Sequence, residues 1–580
     1  MTLIGSALLS LLALAAGAAA APAADSSKAK PADYILVGGG PAGFVLAEYL
    51  TRDPKVKVVL LEAGADASTN PAVTTPGQFF FTQEWMWPYF SQPDPNLNGL
   101  TPNLVQGRAL GGGTAVNAML YCRGAASVFD EWAEISGNKG LKWNSMLQSF
   151  KATTHWQGDP DIQYNQPLNT SSFGNGPLEI SRQRELLTFD KPFADKLADT
   201  FQLPQIDFAS GGGIGVSQGI ESIRASNATR SDAYNTFGYL ANTRPNFELH
   251  HDAWVSKIGF TGKTADRVTY NDTLTGTMHT IRGSEIVVTA GAINSPQLLM
   301  LSGVGPAARL RQLGIPVVKD FPEVGQNLID HHYAVLQYEA KQEVDSFWQL
   351  YSNSTRSAIE QARYAQNGDG LLGNICGDVF GAFRLPDSVF AGKGNFHKKL
   401  PADRPHMIYE YFAGPFLENS PDVSILSAFA AVVQPESKGY LTLASADYRD
   451  APLIHSNYWG TAADKAAIIH GYKKLRDLMR SPELGRYTVR ELFPGDQAVS
   501  DEAIWEAIQQ SSSSWHHPVG TTALGKVLDA NWRVKGLKGL RVVGTSSVPK
   551  ITTCATQATA YAIGHRAALD IAAADRVCKK

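Results

Sequence analysis

Cysteine is scarce in this chain: four among 580 residues, Cys122, Cys376, Cys554 and Cys578. So few, so widely spread, exclude a disulfide-built scaffold and leave room for a bridge without saying which pair forms it. An excess of either charge is also missing. Lys and Arg number 51 against 54 Asp and Glu, a formal net charge of −3. With no basic block either, a nucleic-acid partner is not expected. Beyond the N-terminus no apolar run is long enough to cross a bilayer, so stable membrane association is not expected. There is no internal repeat, and no low-complexity tract beyond Ser511–Ser514 and an alanine-rich leader. What remains is ordinary globular composition, 44% hydrophobic and 18% charged, ample for a large core shared by two intertwined domains.

The leader is the first positive feature. Leu3 to Ala21 is apolar and small, crowded with leucine from Leu8 to Leu14 and ending in Ala18–Ala21 before Pro22. It reads as a secretory signal peptide over residues 1–21, too short for a span and followed closely by the polar Asp25–Lys30. Four N-x-S/T sequons, at Asn169, Asn227, Asn271 and Asn353, fit an extracellular glycoprotein and are expected in turn-like surroundings.

The most informative stretch follows the leader, at residues 33–64. An apolar strand from Tyr34 to Val37 runs into Gly38, Gly40 and Gly43 in G-x-G-x-x-G spacing. A helix-compatible run comes next, then a second strand, Lys57 to Leu61, ending in Glu62. This is the βαβ dinucleotide fingerprint. Gly38 serves the tight turn, Gly40 the approach of a pyrophosphate, and Gly43 close helix–strand packing. Glu62, nineteen residues after Gly43, is placed for the ribose hydroxyls. Location chooses the cofactor: a secreted protein has no supply of diffusible nicotinamide, whereas a tightly held FAD travels with it.

Further segments stand in order along the chain. Gly107–Gly124 reads GRALGGGTAVNAMLYCRG, Gly291–Pro306 reads GAINSPQLLMLSGVGP, Val324–His332 reads VGQNLIDHH, and Trp515–Thr521 reads WHHPVGT. Together with the fingerprint they resemble the glucose–methanol–choline (GMC) family of flavin oxidoreductases over nearly the whole mature chain, and the tail and leader are similar to those of secreted fungal aryl-alcohol oxidases. The resemblance implies an α/β fold: an FAD-binding Rossmann-like domain (32–330 and 515–575, with a substrate-side insertion at about 150–225). An interleaved α+β substrate-binding domain on a mixed or antiparallel sheet would span 335–514. It also implies flavin contacts at Arg108, Gly112, Thr114, Asn117 and Ala118, and an adenine contact at Val255. Cys122 and Cys554 fall in flavin-lining segments and read as buried, inert cysteines. No metal site is expected.

Alcohol oxidation needs a base for the hydroxyl proton and an acceptor for the carbinol hydride. Histidine suits the first, with an ordinary pKa near 6.5. In WHHPVGT only His517 directly precedes the proline, so His517 is the expected general base. His516, its neighbour on an extended segment, is expected to face the other way. The family's second catalytic residue, a His or Asn six positions after the proline of a D-(A/G)-S-x-x-P turn, has no counterpart. Gly544 replaces the aspartate, and the sixth position after Pro549 is Ala555, with Cys554, Thr556 and Gln557 as the nearest polar candidates. The expected activity is therefore oxidation of a primary alcohol, aromatic or from secondary metabolism, with oxygen or quinone as electron acceptor. The alternative is a redox-neutral relative, a hydroxynitrile lyase or cyclase, that keeps FAD as a structural group.

Overall fold

The computed structural model describes residues 31–158, 167–375, 377, 379–417 and 420–575. The leader and Cys376 and Cys578 lie outside them. Two seven-stranded sheets carry the chain. The first is centred on the fingerprint strand Ala32–Val37, flanked in parallel by Val58–Leu61 and by the second half of Thr277–Val288. Phe247–His250 and Leu540–Val542 extend this parallel core on either side. Continuous apolar runs such as Tyr34–Val37 and Val58–Leu61 suit strands covered on both faces. The first half of Thr277–Val288 belongs instead to an antiparallel arm with Thr264–Asp272 and Ala253–Thr261.

The helix Pro41–Leu50 starts at Gly40, with proline in the first turn, where its missing N–H costs nothing. A Cβ on Gly43 would lie 2.1 Å from the Gly38 carbonyl oxygen, so only glycine lets this helix sit so close to the strand end. The tail helix Gln557–Asp575 packs along it. A single core of buried residues runs through this half, from Ile35 and Leu60 to Tyr561 and Ile571.

The second sheet is antiparallel throughout. Its order is Thr488–Phe493, His332–Ala340, Ile425–Val432, Met407–Phe412, Val379–Phe383 and Gly215–Gln218. The last of these strands comes from the polar 150–225 stretch, which thereby joins the substrate side. Ser513–Ser514 pairs with His332–Tyr333, bringing the histidine turn to this sheet.

Two expectations change here. Cys122 and Cys554 are buried as expected, but they are bonded to each other across 432 residues of sequence. Burial brought the two sulfurs of distant segments together, which spacing could not show. Asn169, Asn227 and Asn353 are exposed, at a 3-10 turn, a loop and a helix N-cap. Asn271 departs from the turn-like expectation: it is half-buried inside the strand Thr264–Asp272, and its side-chain oxygen is buried without a hydrogen-bond partner.

Candidate active site

A cavity of about 780 Å³ runs from the fingerprint to the antiparallel sheet. Gly38, Gly40, Glu62, Gly112, Thr114, Asn117, Ala118, Val255 and His517 all line it, so one space gathers residues from five distant segments. Gly43 stays behind the wall, consistent with a packing role. Arg108 is not on the wall either. Its guanidinium lies beside the rings of Trp87 and Trp254, 4.4 and 5.1 Å from their centres, with the two rings themselves 5.0 Å apart. Arg108 thereby supports two tryptophans that do line the cavity.

The fingerprint end fits a dinucleotide. The first turn of Pro41–Leu50 faces the cavity with no side-chain cap, leaving backbone N–H donors free for phosphate. A Cβ built on Gly40 meets nothing within 4 Å, so the space above its backbone is open to a ligand. Glu62 accepts from the backbone N–H groups of Gly39 (2.6 Å) and Gly64 (2.9 Å), which fixes its carboxylate at the end of the second strand. Burial raises its pKa to about 7 against those hydrogen bonds.

Thr114 and Asn117, in the segment Gly107–Gly124, are locked by partners that sequence reading did not assign to them. Asn117 donates to Gln557 (2.8 Å) and accepts from the Arg230 guanidinium (2.8 Å). Arg230 is fully buried and also holds the carbonyls of Val73, Thr114 and Asn117. The Thr114 hydroxyl donates to the Gly111 carbonyl and accepts from the Ala233 N–H, so this wall residue spends its side-chain hydrogen bonds on the loop.

The histidine turn is built on Asp330. Its carboxylate accepts from the backbone N–H of His517 (3.0 Å) and from the hydroxyls of Ser514 and Tyr458. Burial raises Asp330 to about 6 in opposition to these bonds. His331 then sets the state of His517. His331 Nε2 lies 2.9 Å from the Thr552 carbonyl oxygen, an acceptor only, so Nε2 carries the proton. Burial lowers the His331 pKa to about 4 and keeps the ring neutral, which leaves a lone pair on Nδ1. His517 Nδ1 is 3.0 Å from that lone pair and must donate to it. The proton-free nitrogen of His517 is therefore Nε2, and it has no protein partner among the described residues. Burial, with His331 and His516 beside it, holds the His517 pKa well below 6.5.

His516 contradicts the expectation that it faces away: it too lines the cavity. Its φ is +59°, in the left-handed region, and the alternation of side chains holds only for an extended backbone. Ala555 lines the cavity as well, with no hydrogen-bonding group to offer. Of its polar neighbours, Cys554 is in the disulfide and Gln557 is committed to Asn117, Ser222 and the backbone of Met119 and Leu120. Thr556 remains on the wall. Among the described residues no group of His, Cys, Asp and Glu could hold a metal ion.

Residues 32–333 and 435–564 match the N- and C-terminal family models described as GMC oxidoreductase. The chain belongs to the GMC oxidoreductase family. It is an oxidoreductase whose dinucleotide fold serves FAD. It is 30% identical over 553 residues to an alcohol dehydrogenase [acceptor] of Pseudomonas putida, covering 92% of this chain and 95% of that one. It is 29% identical over 583 residues to a patulin synthase of Aspergillus clavatus, with 93% and 92% covered. The structure superposes on an FAD-dependent oxidoreductase from Chaetomium thermophilum with a TM-score of 0.85 at 28% identity, over 94% of this chain and 100% of that one.

Proposed function

We propose that this family member is a secreted FAD-dependent oxidase or dehydrogenase converting a primary alcohol to an aldehyde. The observation that carries the reading is the tautomer of His517, a buried imidazole with its lone pair on Nε2 in the same cavity as the dinucleotide end. Nε2 takes the hydroxyl proton. The resulting imidazolium keeps its Nδ1–H bonded to His331, and Asp330 keeps the backbone in place. FAD, when bound, supplies the hydride acceptor. The rings of Phe79, Phe80, Trp87 and Phe90, all from residues 79–90, wall the cavity and suit an apolar or aromatic alcohol. Similarity to the alcohol dehydrogenase [acceptor] of Pseudomonas putida supports alcohol oxidation. The leader and the three exposed sequons support secretion, and oxygen or a quinone would take the electrons.

Anaerobic mixing with a panel of primary alcohols tests this. The flavin band should bleach, and His517→Ala should slow bleaching roughly 10²- to 10⁴-fold with FAD content retained. Bleaching by no alcohol, or a His517→Ala rate within about threefold of wild type, sinks the reading. Ala555 in the wall favours one second reading, a redox-neutral reaction on the same histidine, which would give an isomerised or cleaved product with no acceptor consumed.

A further inference from the structure

Among the described residues, Glu410 is the one ionisable carboxyl of the antiparallel sheet that lines the cavity. It lies on Met407–Phe412, directly across from Phe380 on one neighbouring strand and Phe429 on the other. Directly opposed residues share a face of the sheet, and all three line the cavity. The rings continue around it: Phe412 lies 5.1 Å from Phe416, and Phe416 4.8 Å from Phe429.

Among the described residues the Glu410 carboxyl has no hydrogen-bond or ion-pair partner. Its side chain is half-buried, with its open side on the cavity, and burial raises its pKa to about 8. Among the described residues no Lys or Arg lines the cavity, and the only other acid on the wall, Glu62, is at the fingerprint end with both oxygens on backbone N–H groups. A carboxyl so placed costs folding free energy unless a ligand brings it a donor. A hydroxyl would satisfy a hydrogen bond and gain nothing from the rings. A quaternary ammonium would gain from the rings and bring no N–H. A protonated amine does both, donating to the carboxylate while the ring faces stabilise its charge.

We propose that Glu410 selects the substrate, and that the alcohol this cavity takes carries a protonated amino group seated between Glu410 and the rings of Phe412, Phe416 and Phe429. This rests on the reading of the cavity as the site of alcohol oxidation. It also predicts that alcohols bearing a carboxylate are rejected, because the wall holds no compensating cation.

Three probes test it on the FAD-loaded protein: 4-(aminomethyl)benzyl alcohol, its neutral isostere 4-ethylbenzyl alcohol, and the bulkier 4-(trimethylammoniomethyl) analogue, which keeps the charge without N–H. Kd is read from perturbation of the oxidised flavin spectrum, and reduction is read separately by anaerobic bleaching. The amine should bind at least about tenfold more tightly than either analogue, a difference of about 1.4 kcal/mol. In Glu410→Gln, which keeps the shape, that preference should shrink to within about threefold. The proposal is overturned if wild type binds the ethyl compound as tightly as the amine, or if the preference survives in Glu410→Gln. The wild-type comparison stands even if the variant fails to hold FAD. Preferential binding of the amine with no bleaching by any alcohol would leave this inference standing and remove the oxidation reading instead.

Discussion

His517 donates through Nδ1 to an imidazole that has no proton to return. That arrangement depends on a carbonyl two shells from the substrate, the Thr552 oxygen, which forces the proton of His331 onto Nε2. Two outcomes follow at this scale. A base is inactive when protonated, so activity is lost as pH falls through its pKa. Because burial and the two neighbouring histidines hold His517 well below 6.5, the acidic limb of the flavin-reduction rate should have its midpoint below pH 6.5. A midpoint at or above 6.5 in a stopped-flow pH series would contradict the buried neutral base. His331 is a positioning residue. Replacing it by Leu removes the neutral acceptor of Nδ1–H that steadies the imidazolium formed when Nε2 takes a proton. Flavin reduction should slow roughly tenfold to a hundredfold, less than on removing the base itself, and the acidic limb should move toward lower pH. A slower rate with an unmoved limb would mean only that the turn had loosened.

The elements around the flavin end are held by two ties that join segments far apart in sequence. Arg230 ties its own loop to the segment Gly107–Gly124 and to Val73 through the carbonyls of Val73, Thr114 and Asn117. Arg230→Met would leave these buried acceptors without their donor, at about 1–3 kcal/mol each before relaxation. A drop in FAD occupancy on purification together with a lower melting temperature is the expected result, and an unchanged spectrum and melting curve would count against it. The Cys122–Cys554 disulfide fastens the same segment to the loop bearing Ala555. Replacing both cysteines by serine should destabilise the protein by about 2–5 kcal/mol, read by denaturant titration of the purified protein. Equal stability of the double variant would show that the bond constrains nothing the fold does not already fix.

For the whole molecule, the site exists because two sheets of different kind face one cavity. The parallel sheet presents strand ends and a helix N-terminus, which suit a phosphate-bearing cofactor. The antiparallel sheet presents a broad face of alternating side chains, which suits a substrate. The outer surface carries its own prediction. Mass mapping of material secreted from a glycosylating host should find glycans at Asn169, Asn227 and Asn353 and none at Asn271, whose side chain is half-buried in a strand. A glycan at Asn271 would show that this strand is reached before it pairs.

Gly38, Gly40, Gly43 and Glu62 could be read directly, because a βαβ turn imposes local spacing and each of these residues answers a local demand. The same holds for His517, whose neighbour Pro518 marks its register. The strands of the parallel sheet were legible as uninterrupted apolar runs. Pairing was not legible. Cys122 and Cys554 gave no sign of each other, Arg230 sits in a stretch with no period, and Glu410 lies in a strand whose sequence, MIYEYF, reads as any half-buried strand. His516 was misplaced because its left-handed backbone is set by the tertiary turn onto Asp330 and His331 and not by its own residue type. Short-range rules of turn and period thus determine from sequence alone that this chain binds a dinucleotide. Which nitrogen of His517 is free and what stands around it were decided only when segments hundreds of residues apart came within hydrogen-bonding reach, since burial and partners, not sequence spacing, set a side chain's proton.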